Sequence, residues 1–509
     1  MVKNKLLRDT ILLTVMQLAL DSAALLLNSF ITRRLGASAV GLFSLMGSFL
    51  GLAGILSDGN AFLCTSRLIS EELGKKQGNP NRVLLHGITL CLTLSVTVSA
   101  AVLIFAQPIG TAFFGSGEMT SYLRFMPIAL ISGAVCGCIE GYYNACRKAS
   151  LAAISDIVDF VVRAAVIIIM TLSSPTHDSA SACKIMITAV VAGNVACLLL
   201  MIILFPSVRI KGAGRSSISL RDYAALAFPI MGGSILTSVL SSANDALVPV
   251  CLRQFGDSQE RALALFGIFE AIVIPTIFFP SVVLCSLSGI IVTESARASA
   301  AGNRERLKSL TQRIIRYTLI YAAASSAILI RFGKPLGVLL GGGETGGKMI
   351  AAIAPVVPFI YLEIVLEALI KGMGLQGFSS LNYLAEYVIR ISIVLILVPR
   401  CGFVGIAVSY YASNIFGNVN RLVKLLRHTS APLRPLKTIV LPALYCVLTL
   451  SAAELLCRIL RLNENSVFGM IFFIVIWLGG YLGIFIFMES NSGEKASRRI
   501  VKTAQNGTT

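Results

Sequence analysis

Fourteen apolar runs, each long enough to cross a bilayer as a helix, fill this 509-residue chain almost end to end. A hydrocarbon core of about 30 Å takes about 20 apolar residues in a helix. Backbone polar groups at that depth must bond within their own segment. The runs cover 10–31, 39–64, 84–106, 122–143, 151–172, 185–206, 222–250, 262–291, 314–340, 349–371, 381–399, 402–420, 438–457 and 467–488. With 56% hydrophobic and 13% charged residues, no large soluble domain fits between them. The pattern specifies an all-α, polytopic membrane bundle. The first run is not a cleavable signal, because it holds Asp21 and Asn28 and no small-residue cleavage site precedes the second.

Cation placement predicts the orientation. With the N-terminus inside, 29 of the 43 Lys and Arg fall on the cytoplasmic side, 12 fall outside, and Arg163 and Arg390 stay within spans. The cytoplasmic set includes Arg67, Arg82, Arg147, Lys148, Arg297, Lys371, Arg421 and Lys424. Such a bias over short loops predicts a multi-pass membrane protein with both termini cytoplasmic. The net charge of +18 then reads as topology and contact with anionic lipid, not as a nucleic-acid surface.

Most of the twelve cysteines lie in apolar spans, where they act as small hydrophobes. His86, His177 and His428 are far apart, so neither a metal site nor a disulfide framework is expected. Gly342-x-x-x-x-Gly347-Lys348 lacks the Ser or Thr of a phosphate loop, having Met349 there, and is read as a flexible outer hairpin. No cofactor and no enzymatic activity are predicted.

A parallel internal repeat organises the chain. Pro127 and Pro358 are offset by 231, as are Gly141 and Gly372. Asp21 and Asp245 are offset by 224, as are Asn79 and Asn303. Six spans separate the members of each pair. The predicted division is an N-lobe at 1–215, a C-lobe at 216–430, and two extra C-terminal spans with a tail at 431–509. Two such lobes related by an axis along the membrane normal suit alternating access, with a substrate site between them. The cytoplasmic connectors Arg67–Asn79 and Glu294–Asn303 are read as amphipathic, partly helical segments at the inner interface, or as solvated topogenic loops.

Ionisable groups inside spans are costly and mark function or a specific partner. Gln17, Asp21 and Asn28 share one face of span 1. Asn244 and Asp245 sit near the end of span 7, Glu270 lies in span 8, and Glu363 and Glu367 lie in span 10. These eight are the candidate substrate- or ion-binding residues. Asp21, Glu270 and Glu363 have no basic residue nearby in the sequence, as a proton or cation site requires. Asp159 with Arg163, and Glu386 with Arg390, are spaced i, i+4 and are read as structural ion pairs.

The segments 57–79 (SDGNAFLCTSRLISEELGKKQGN), 139–167 (IEGYYNACRKASLAAISDIVDFVVRAAVI) and 369–409 resemble the multidrug/oligosaccharidyl-lipid/polysaccharide flippase superfamily. The likeness covers about 1–430 and is nearest to stage V sporulation protein B-like polysaccharide flippases. It implies a two-lobed bundle moving lipid-linked glycan precursors between leaflets. Lipid II flippases carry arginines in the first span, where this chain has Asp21 and Leu27. Cavity arginine is also absent near Ala53 and Pro275, although Arg or Lys best holds a pyrophosphate. The partners implied are membrane lipid, a lipid-linked glycan or other amphiphile, and H⁺ or Na⁺. The alternatives are a proton- or sodium-coupled multidrug exporter, for which Asp21 resembles a first-span carboxylate, and an envelope-synthesis scaffold without transport.

Overall fold

The computed structural model describes residues 2–74, 79–114, 120–173, 179–210, 218–432, 435–459 and 468–485. His177, Lys75, Lys76, Lys211, Arg215, Arg434 and the tail cations from Lys495 to Lys502 lie outside them.

Every apolar run becomes a helix. Span 1 is Val2–Leu35, and span 2 is two helices, Ala37–Asp58 and Ala61–Leu73. Spans 3 to 7 are Pro80–Ile104, Met126–Ala145, Ala149–Ser173, Ser179–Val208 and Leu220–Phe255. Span 8 runs from Gln259 to Ala300 through a π-helical turn at Phe269–Val273 and a 3-10 turn at Phe279–Ser281. Spans 9 to 12 are Arg304–Leu339, Gly343–Gly372, Gln376–Cys401 and Phe403–Thr429. Spans 13 and 14 are Thr438–Ile459 and Phe468–Phe485.

Twelve of these helices are long and apolar enough to cross a membrane. The other two are spans 5 and 12. Asp156, Asp159 and Arg163 fall in one short stretch of span 5, and Asn414, Asn418 and Asn420 make span 12 polar. Residues 67–73 continue the span 2 helix, and span 8 runs on to Ala300, so both connectors begin as helix. Two sequence expectations change. The Gly-rich segment is helical from Gly343, not a flexible hairpin. Asn244 and Asp245 lie well inside span 7, not near its end.

The chain divides into two compact units. The first holds Met1–Val282, Val338–Gly346 and Gly377–Gly417, and the second the remainder. These boundaries do not follow the sequence repeat.

In the first unit, spans 2, 3, 4, 6 and 7 share a core around Tyr142, Tyr143 and Tyr223. Each buried ring places its hydroxyl on a partner, as burial demands. Tyr143 donates to the Met201 carbonyl at 2.7 Å, and Tyr223 Oη meets Thr65 Oγ1 at 2.7 Å. A second core joins spans 1, 2, 5, 6 and 8 through Ile31, Val40, Ile185 and Ala271. In the second unit, spans 13 and 14 pack on span 9 through Phe332, Phe473, Trp477 and Tyr481. Arg331 pairs with Glu454 at 3.0 Å on the same surface.

The glycines that mark the repeat carry equivalent contacts. A Cβ on Gly141 would stand 2.7 Å from the Phe62 carbonyl oxygen of span 2. On Gly372 it would stand 2.6 Å from the Val292 carbonyl oxygen of span 8. Close backbone approach through small residues is how helices associate where lipid supplies no hydrophobic drive.

Candidate functional site

Among the described residues, polar groups gather inside the first unit along spans 2, 7, 8, 11 and 12. Ser48 Oγ donates to Asp245 Oδ2 at 2.7 Å, and Asn244 Nδ2 lies 3.3 Å from Asp245 Oδ1. Ser242 Oγ donates to the Ser48 carbonyl at 3.1 Å. Asn244 is buried, and its Oδ1 has no hydrogen-bond donor. An acceptor left open beside a carboxylate is the arrangement a cation completes.

Glu270 occupies the π-helical turn of span 8. Single π turns inside α-helices re-aim side chains and recur at functional sites. Here the cause lies about one turn further along the chain. Pro275 has no N–H to give the Ala271 carbonyl an ordinary i+4 bond. Asn28 Nδ2 of span 1 donates to that oxygen at 3.0 Å. Phe269, on the same turn, meets Tyr410 edge to face at 5.2 Å.

Arg390 reaches this neighbourhood from span 11. Its guanidinium carbon stands 4.4 Å from the centre of the Tyr410 ring and its Nε donates to Ser413 at 3.0 Å. It is close enough to interact with Asp245 and Glu270. The expected pairing of Glu386 with Arg390 takes another form. Glu386 Oε1 accepts from Asn382 at 2.6 Å and lies where a Cβ on Gly417 would be. Arg390 is directed to the tyrosine and serine of span 12.

The Asp159–Arg163 pair does form, at 2.6 Å, and Arg163 also lies 3.4 Å from Asn194. Asp159 occupies the space a Cβ on Gly193 would need. Gly193-Asn194 and Gly417-Asn418 are offset by 224, so a carboxylate seated on a glycine of the following helix occurs in both halves of the repeat.

Two other candidates have different surroundings. Gln17 Nε2 donates to Asp21 Oδ1 at 2.9 Å, on a face of span 1 that neighbouring helices leave partly uncovered. In the second unit, Glu363 and Glu367 meet Arg421, at 3.5 and 2.7 Å. Arg421 is therefore a buried residue of span 12, not a cytoplasmic loop cation. Glu363 has a basic partner after all, 58 residues along the chain.

Sequence reasoning missed Asp58. Gly59 and Asn60 are both left-handed, at φ 56° and 57°, and they break span 2. Asp58 Oδ1 accepts the Asn60 N–H at 2.9 Å, while Asn60 Nδ2 reaches Ser234 of span 7 at 2.9 Å. The signal was Asp-Gly-Asn inside an apolar run, a turn sequence where a turn is unexpected.

Comparison with known proteins fits this architecture. A sequence profile described as polysaccharide biosynthesis protein matches residues 6–248. Stage V sporulation protein B of Bacillus subtilis (strain 168) is 22% identical over 424 residues, 80% of this chain and 81% of that one. The chain is thus similar to polysaccharide biosynthesis proteins over residues 6–248, and to the sporulation protein over most of its length. Its fold is similar to that of lipid II flippase MurJ in an inward closed conformation, with TM-score 0.71 and 15% identity over 94% of this chain and 99% of that one. It is also similar to the MATE multidrug transporter DinF-BH, with TM-score 0.63 and 17% identity over 83% of this chain and 95% of that one.

Proposed function

We propose that this protein is a flippase that carries a lipid-linked oligosaccharide or another cell-envelope glycan precursor across the bacterial cytoplasmic membrane by alternating access. The observation that favours it is the extent of the fold likeness. The lipid II flippase covers 94% of the chain, while the multidrug transporters cover 82–83%. Spans 13 and 14 add two helices to a twelve-span exporter plan, as fourteen-span flippases do. The lobes are the repeat halves at 1–215 and 216–430, with both termini cytoplasmic.

The polar cluster is the coupling site of this reading. Asp245 and Glu270, with the open Asn244 oxygen, receive H⁺ or Na⁺ in one state of the cycle. A bound ion shifts the inward–outward equilibrium only by its differential affinity for the two states. Asp21 and Gln17 contact the head group from span 1. Arg163, Glu363, Glu367 and Arg421 serve as structural partners.

The test is reconstitution into proteoliposomes with a fluorescent polyprenyl-pyrophosphate oligosaccharide, scored by its protection from a reagent added outside. Protein-dependent flipping that responds to an imposed pH or Na⁺ gradient is expected. Transport of a cationic dye, with no movement of any lipid-linked glycan, would establish the exporter reading instead. An inert reconstituted protein whose cytoplasmic loops alone are needed in cells would favour the scaffold.

A further inference from the structure

Spans 2 and 8 meet near their first turns without a side chain between them. A Cβ on Gly41 would fall on the Leu263 carbonyl oxygen. A Cβ on Gly267 would fall on the Gly41 amide nitrogen and the Ala37 carbonyl oxygen, and would stand 2.7 Å from the Gly41 Cα. The two backbones are therefore in direct van der Waals contact, as small residues at membrane interfaces allow.

One turn further along span 8, Asn28 of span 1 donates to the Ala271 carbonyl that Pro275 cannot serve. Spans 1 and 2 come from the first half of the sequence repeat, and span 8 from the second. The same half-to-half seam continues downward as polar contacts between spans 2 and 7. These are Ser48 with Asp245, Asn60 with Ser234, and Thr65 with Tyr223. The two ends of the seam differ in kind. Hydrogen bonds lower down can be exchanged for water as the halves part. The glycine contact is a dry steric fit that any added atom prevents.

We propose that Gly41 and Gly267 are the seal of the transport path at the outer face, with Asn28 as its latch, and that parting these two backbones opens the protein outward. The proposal rests on the alternating-access reading for its meaning, but not on any substrate. Asn28 suits the latch because the Ala271 oxygen it releases becomes accessible to water as the seam opens. That limits the cost of leaving the carbonyl without its donor.

The reporter is Ser44→Cys, one turn below the seal on span 2, with Cys146, Cys285 and Cys401 replaced by Ser. The remaining described cysteines are buried. A membrane-impermeant maleimide is applied to right-side-out cells and, separately, to inverted vesicles. Gly41→Ala and Gly267→Ala should each raise the labelling rate from outside by about tenfold or more, at unchanged rate from inside. Asn28→Ala adds no bulk and keeps both glycines, so it guards against a glycine variant that fails to reach the membrane. It should give a smaller rise, about threefold, with the same sidedness. Parental rates in Asn28→Ala and in whichever glycine variant reaches the membrane would overturn the proposal. Equal rises from both sides would also overturn it, since they report general loosening. The readout is accessibility of one cysteine and not movement of a substrate, so failure of the flippase reading leaves this result unaffected.

Discussion

Arg421 of span 12 donates its Nε to Glu367 of span 10 at 2.7 Å, and neither side chain is more than 5% exposed. Glu363, one turn away, lies 3.5 Å from the same guanidinium, and Lys371 lies 3.9 Å from Glu367. The repeat-equivalent positions in the first half are Cys136 and Cys197, offset by 231 and 224. Where one half of the sequence repeat carries two buried thiols, the other carries a buried ion pair.

This asymmetry predicts an unequal response to substitution. Removing one partner of a buried pair leaves the other uncompensated, at about 3–5 kcal/mol. Arg421→Met should sharply lower the midpoint of thermal aggregation in detergent. Combining it with Glu367→Leu should recover part of the loss, since both charges then leave together. A double variant less stable than Arg421→Met alone would show that the pair is not the source of the effect.

Gly372 should tolerate no side chain while Ser295 faces it, because a Cβ there would fall on the Ser295 hydroxyl. Gly372→Ala is expected to reduce membrane abundance severalfold. Ser295→Gly should restore only part of it, since the Val292 carbonyl stays 2.6 Å from the added carbon. Immunoblots of membrane fractions would decide. Full abundance for Gly372→Ala alone would mean that the helices part without cost.

Asp245→Asn and Glu270→Gln should leave abundance intact while removing the response of transport to pH or Na⁺ gradients. Ser48→Ala should have a milder effect, because it deletes one donor to Asp245 and leaves the charge. Initial flipping rates with and without each gradient provide the measurement. A gradient response that persists in both amide variants would assign the coupling elsewhere.

Spans 13 and 14 should stabilise the unit they pack on. Trp477 Nε1 donates to Thr449 at 3.0 Å, and Arg331 is held by Glu454 while lying 5.9 Å from the centre of the Phe473 ring. Glu454→Gln should weaken stability by about 1 kcal/mol, within the range found for polar contacts between membrane helices. Truncation after residue 432 should cause far greater loss by uncovering Ile320 and Phe332. Protease resistance of the purified protein distinguishes the two grades.

Run length and residue spacing were enough for the class and the helices, for one physical reason. In lipid a backbone must satisfy itself locally, so an apolar run of sufficient length specifies a helix. Helix contact through small residues likewise leaves glycine at fixed places, which made Gly141 and Gly372 legible as partners. The flippase resemblance was readable at 57–79 and 139–167 for similar reasons of local pattern.

Partnership across helices came from the packing alone. Glu363 looked isolated because Arg421 is 58 residues away, and Arg421 looked like a loop cation because the polar asparagines of span 12 hid its helix. Glu386 and Arg390 have the spacing of an ion pair, yet Glu386 bonds Asn382 and Arg390 lies over Tyr410. Asn28 belonged to a polar stripe in sequence, but the carbonyl it serves is orphaned by a proline seven spans away. Spacing along one helix names which groups could meet; packing between helices decides which of them do.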